Sequence, residues 1–122
     1  MIKVALLGYG RIGRKYLRYS LALRQAVINK ILKIKRGAKT SKNVLVFTNF
    51  QKLIKTRKID AFIIATPVSS HFYYAKKILK LKKPFIIEKP LSESLEESNK
   101  LLAMGKNYSK AIFVNHTDLY NP

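Results

Sequence analysis

An apolar run from Ile2 to Leu7 leads straight into Gly8-Tyr9-Gly10-Arg11-Ile12-Gly13. This is a G-x-G-x-x-G turn with a strand-like segment before it and a helical pattern after it, a context that leaves few folds open. Each glycine has its own physical task. Gly8 permits a tight turn out of the strand, and Gly10, lacking a Cβ, lets a pyrophosphate approach the backbone. Gly13 lets the next helix pack closely on the strand. The unpaired N–H groups at that helix start then face the phosphates. The same spacing also suits a purely structural turn, so this segment alone leaves both readings open.

Beyond the turn, strand and helix patterns alternate. The expected helix covers residues 11–26, with Ile12, Tyr16, Leu17, Tyr19, Leu21 and Leu23 as apolar positions. A weaker strand follows at 30–34, then a polar loop and a short strand at 44–47. Thr48 is positioned to cap a short helix carrying Phe50, Leu53 and Ile54. The near-continuous apolar run at 60–65 reads as the buried centre of a parallel sheet. Ser69 or Ser70 would cap a helix to about 81, with Phe72, Ala75, Ile78 and Leu79 inward. A strand at 84–88 precedes Ser94-Leu95-Glu96-Glu97, a capping box that opens a helix to about 105. Leu95, Leu101, Leu102 and Met104 are its apolar residues, and 111–115 is the last strand. This alternation predicts an α/β fold, a doubly wound parallel sheet (Rossmann fold) in one domain over residues 1–122.

Composition narrows the function classes. The chain has no cysteine, which excludes disulfides, thiolate metal sites and a cysteine nucleophile and suits a cytoplasmic location. Its apolar runs are too short to span a bilayer, so no membrane association is expected, and no metal site is indicated. Lys and Arg number 25 against 6 acidic residues, and residues 1–59 contain no acid at all. Such a charge would attract nucleotide, nucleic acid or another polyanion. The competing explanation is compositional: a Lys-, Ile- and Asn-rich chain decorates every solvated face with lysine. The lysines are spread over several expected elements without forming one stripe, and no nucleic-acid-binding motif is present.

Four landmarks stand in order: the glycine turn at 8–13, Ala65-Thr66-Pro67 with His71 four residues after the proline, Glu88-Lys89-Pro90-Leu91, and Val114-Asn115-His116 leading to Asn121-Pro122. Together they resemble the N-terminal half of the glucose–fructose oxidoreductase and inositol dehydrogenase family (Gfo/Idh/MocA). The resemblance covers nearly the whole chain, and Glu-Lys-Pro is its most specific element. It implies that Gly8, Gly10, Arg11, Ile12 and Gly13 hold the pyrophosphate of NAD or NADP. It also implies that Thr66, Pro67 and His71 line the cofactor's ribose and nicotinamide side, with Glu88 as a further cofactor-binding residue. Lys89 would face the substrate as the catalytic residue, polarising the reacting oxygen, and His116 is a further candidate to face it. The implied activity is hydride transfer to or from a sugar, cyclitol or related polyol.

Two departures from the family pattern modify these expectations. NAD-specific domains place an acid about 20 residues beyond the glycines to bind the ribose 2′-OH. Here that region offers Lys33, Lys35, Arg36 and Lys39 and no carboxylate. Lys35 and Arg36 would pair with a 2′-phosphate, so NADP is expected over NAD. The second departure is extent. In the family, the substrate domain begins where this sequence ends, so the chain is expected to lack it and to be incomplete for catalysis alone. The alternatives are a basic module binding nucleic acid or another polyanion, and a scaffold or regulatory subunit. The latter would dock a partner near residues 116–122, where Leu119 and Tyr120 would be exposed.

Overall fold

The computed structural model describes residues 1–33, 40 and 43–116. They form six strands and four helices: β1 (Ile2–Leu7), α1 (Arg11–Ser20), β2 (Ala26–Leu32), β3 (Leu45–Phe47), α2 (Phe50–Ile54), β4 (Ala61–Ile64), α3 (His71–Leu81), β5 (Phe85–Glu88), α4 (Leu95–Gly105) and β6 (Ile112–Asn115). The strands pair in parallel in the order β3-β2-β1-β4-β5-β6. The expected doubly wound α/β sheet is therefore the observed one. The chain moves outward from β1 to β2 and β3, then returns to place β4 on the other side of β1. That reversal makes the carboxyl ends of β1 and β4 the switch point of the sheet, the place where ligands bind in folds of this kind.

β1 and β4, at the centre of the sheet, bury both faces, as their continuous apolar runs require. Ala5, Leu7, Phe62, Ile64, Phe85 and Ile87 meet α2, α3 and α4 through Phe50, Leu53, Tyr74, Ala75, Ile78 and Leu101. Val4, Leu6, Ile28, Ile31 and Ile63 meet Leu17 of α1 on the opposite face. On that second face α1 is the only helix among the described residues. Beyond it an open apolar groove of about 430 Å³ runs past Ile63, Ile86 and Phe113. No helix among the described residues is long and apolar enough to cross a membrane.

The element boundaries differ from the sequence reading in instructive ways. The first helix stops at Ser20 rather than 26, and β2 begins at Ala26 rather than 30. Ala22 and Leu23 donate to the carbonyls of Tyr19 and Ser20, turning the chain. Ile2 donates to Gln25, and Ala26 then pairs with Ile2. The parallel register, not the apolar periodicity, sets this boundary, and it leaves Tyr19, Leu21 and Leu23 exposed. Asn49, not Thr48, caps α2, its side chain accepting from the Lys52 amide. Neither Ser69 nor Ser70 caps α3 with its side chain; Val68–Ser70 form a 3-10 turn instead. Ser94 caps α4 as expected, accepting from the Glu97 amide at 3.2 Å. Of the four apolar residues expected on that helix, Leu101 alone is buried.

A lysine in β2 has a measurable consequence. Lys30 is 4% exposed, with Nζ 3.5 Å from the Lys58 carbonyl. Burial lowers its pKa below the ordinary 10.5, reinforced by the charges of Lys3 and Lys58 and opposed by Asp60. The fold thus binds this proton less tightly than the unfolded chain, so stability rises with pH toward 10.5 and falls as pH drops. Lys30→Met is expected to stabilise the domain by about 1 kcal/mol at neutral pH. Denaturant titrations at several pH values should show that gain shrinking as 10.5 is approached; a gain independent of pH would refute the assignment.

Candidate functional site

Because all six strands are parallel, their carboxyl ends share one rim. The four landmarks read from the sequence sit there: Gly8–Gly13 after β1, Ala65-Thr66-Pro67 after β4, Lys89-Pro90 after β5 and His116 after β6.

The three glycines differ in what surrounds them. Gly8 has φ +95, and a Cβ there would lie 2.5 Å from the Ala65 carbonyl oxygen and 2.8 Å from the Thr66 nitrogen. A Cβ on Gly13 would lie 2.2 Å from the Gly8 carbonyl oxygen. These two glycines let β1, α1 and the turn after β4 close on one another. Gly10 is different: a Cβ there would meet nothing within 4 Å. Protein packing does not require this glycine, and its bare backbone faces open space. Gly10 is also the N-cap of α1, without a side-chain cap bond and with no acid in the first turn, so the helix start suits an anion. These residues fit the phosphates of a dinucleotide.

The helix adds charge. Arg11, Arg14, Lys15 and Arg18 are all exposed and line one shallow concavity of about 380 Å³. Their i, i+3, i+4, i+7 spacing puts them on one face. These four residues form a local basic stripe on α1, while the lysines of the chain are spread over several elements. Arg14 also turns back, Nε donating to the Gly10 carbonyl at 3.4 Å. At the end of β2, Lys33 Nζ lies 5.9 Å from the centroid of the Tyr9 ring, which belongs to the glycine turn. Lys35, Arg36 and Lys39 lie outside the described residues, as do Leu119 and Tyr120.

On the β4 side, Thr66 is buried and Pro67 is exposed. Ser70 Oγ stands 2.7 Å from Thr66 Oγ1 and 2.8 Å from the Pro67 carbonyl oxygen, which folds this turn onto itself. His71 is 1% exposed. Its Nδ1 lies 2.8 Å from the Pro90 carbonyl oxygen and its Nε2 lies 2.9 Å from that of Thr66. The imidazole therefore bridges the turn after β4 to the segment after β5. It bears on the rim through the two carbonyls it holds.

Lys89 is exposed, and the Lys89-Pro90 bond is cis. Glu88 before it is half-buried and faces α1. Its Oε1 accepts from the Tyr16 hydroxyl at 2.5 Å and from Asn115 Nδ2 at 2.7 Å, and Asn115 Nδ2 also donates to the Tyr16 hydroxyl at 2.9 Å. Desolvation, then the hydrogen bond and charge of Glu88, push the Tyr16 phenol well above its usual 10.0, so it stays a donor. Tyr16 reads in sequence as one more apolar helix position. The signal available was its hydroxyl, which needs a partner when a tyrosine lies against a sheet. No cluster of potential metal ligands occurs among the described residues.

Comparison with known proteins agrees with this geometry. A family model described as an oxidoreductase family with an NAD-binding Rossmann fold (GFO_IDH_MocA) matches residues 2–116. The uncharacterized oxidoreductase YrbE of Bacillus subtilis is 25% identical over 99% of this chain and 37% of its own length. YdgJ of Escherichia coli, also described as an uncharacterized oxidoreductase, is 29% identical over 94% of this chain and 34% of its own. Among solved structures, an oxidoreductase from Magnetospirillum magnetotacticum superposes with a TM-score of 0.86 at 27% identity, over 99% of this chain and 40% of that one. GenD2 from gentamicin A biosynthesis, solved in complex with NAD, shares the fold with a TM-score of 0.85 at 17% identity, over 99% of this chain and 36% of that one. The chain thus spans well under half the length of these relatives.

Proposed function

From the premise that this chain belongs to the Gfo/Idh/MocA oxidoreductase family and carries its NAD-binding Rossmann fold, we propose that Gly8–Gly13 hold a dinucleotide pyrophosphate, with NADP preferred over NAD. The observation that carries the reading is Gly10: a glycine that packing does not require, open to solvent at a helix start. The NADP preference is supported by the acid-free stretch at residues 1–59 and by the Lys33 ammonium beside the glycine turn. A carboxylate at the end of β2 would repel a 2′-phosphate, and a lysine attracts it.

The reaction proposed is oxidation or reduction at a CH–OH group of a sugar- or cyclitol-like substrate. A bound nicotinamide supplies the hydride acceptor or donor. Lys89, on the exposed segment after β5, holds a positive charge where it would stabilise the oxygen of the reacting group. Arg11 and Arg14 flank the phosphates, Thr66 and Pro67 border the switch point, and His71 fixes the carbonyls on which the rim depends. The remaining catalytic groups and the substrate pocket would come from a further domain or chain.

Fluorescence titration with NADPH and NADH tests this reading. NADPH is expected to bind at least about fivefold more tightly, the equivalent of one partly exposed charge pair. Failure of both to bind at millimolar concentration would end the cofactor assignment. Tighter binding of NADH would end the NADP preference alone.

A further inference from the structure

The hydroxyl of Tyr16, the carboxylate of Glu88 and the amide of Asn115 form a closed triangle of hydrogen bonds. Its corners lie on three separate elements, α1, β5 and β6, and Tyr16 and Glu88 are 72 residues apart in sequence. The triangle ties the helix that begins at the glycine turn to the strand that ends just before Lys89. A second tie fixes the same segment from the other side, where His71 holds the Pro90 carbonyl. Lys89 thus sits between two fastened neighbours.

We infer that Tyr16 and Asn115 are positioning residues: by holding Glu88 they set the distance between the phosphate-binding turn and Lys89. The inference rests on the cofactor reading above. Its physical basis is preorganisation. A ligand that touches both the glycine turn and the Lys89 segment gains affinity when the two are already fixed at the right spacing. A ligand that touches only the glycine turn gains nothing from that spacing. Glu88 is half-buried and accepts two hydrogen bonds on a single oxygen. Removing either donor frees the carboxylate to turn toward the neighbouring Lys89. The high pKa of Tyr16 keeps its proton available for the tie throughout the working pH range.

Binding by the full chain distinguishes positioning from general support. Two ligand pairs are suitable: NADPH with 2′-phospho-ADP-ribose, or NADH with ADP-ribose, using whichever pair the unaltered protein binds more tightly. Each pair differs in the nicotinamide. Tyr16→Phe keeps the ring in place and removes the donor. It is expected to weaken the dinucleotide about tenfold and to leave the fragment within about twofold, since one hydrogen bond to a charged group is lost. Asn115→Ala should do the same and serves where Tyr16→Phe folds poorly. In a Lys89→Ala background, Tyr16→Phe should then have no further effect on the dinucleotide. Equal weakening of dinucleotide and fragment, an effect that survives Lys89→Ala, or no effect at all would overturn the inference. If the unaltered protein binds the fragment but not the dinucleotide any better, Lys89 has no part in binding and the inference falls while the phosphate site stands. If it binds neither ligand, the cofactor reading itself has failed.

Discussion

Gly10→Ala is expected to weaken dinucleotide binding by at least about tenfold while leaving thermal stability within about 1 kcal/mol of the unaltered protein. The backbone at Gly10 has φ −80, which alanine adopts freely, and its Cβ would enter open space. Nothing in the protein objects to the methyl group; only a ligand phosphate approaching the backbone does. Gly13→Ala is the control with the opposite cause. Its Cβ would stand 2.2 Å from the Gly8 carbonyl oxygen, a main-chain atom with little room to give. That variant should lose about 3 kcal/mol of stability, and binding with it. Thermal denaturation and a fluorescence titration on both variants separate the effects. Unimpaired binding by Gly10→Ala would mean that no phosphate sits against that residue.

The second large effect concerns His71. The ring is buried and spans the carbonyls of Thr66 and Pro90. His71→Ala removes the ring, and with it the N–H donor, from between these carbonyls and opens a cavity at the start of α3. Loss of a buried hydrogen bond costs on the order of 1 kcal/mol and the cavity adds to it, so a total of about 2–3 kcal/mol is expected. Urea denaturation reads this directly. His71→Gln, whose amide N–H can donate to one of the carbonyls, should recover part of the loss. Equal stability of the alanine variant and the unaltered protein would show that the ring carries no such strut.

Much of the fold was legible in sequence because burial on both faces forces long apolar runs. Ala61-Phe62-Ile63-Ile64 has no solvated side to mark with polar residues, so it announces a central strand. The glycine turn was legible for a related reason. A backbone at φ +95 touching another backbone leaves room for no other residue, so conformation writes itself into residue identity. The capping box at Ser94 is equally local, since cap and capped amide are three residues apart.

The failures of the sequence reading share the opposite property. Leu21 and Leu23 continue the helical pattern, yet the helix has already ended, because pairing of Ala26 with Ile2 fixes where β2 must start. The bases of α1 look dispersed when counted along the chain and become a stripe only when wound at 3.6 residues per turn. Tyr16 and Asn115 are 99 residues apart, and nothing local to either predicts that they share a carboxylate.

The sequence by itself determined the order of elements, the glycine turn and the family landmarks, because each depends on local backbone geometry or on burial of a contiguous run. Tertiary structure alone decided which landmarks meet, through the parallel sheet that carries four distant strand ends to one rim. It also decided the separate fates of three like glycines: two filled by neighbouring backbone, one left open. Contacts across the fold depend on where strands are placed in space, and spacing along a chain does not encode that.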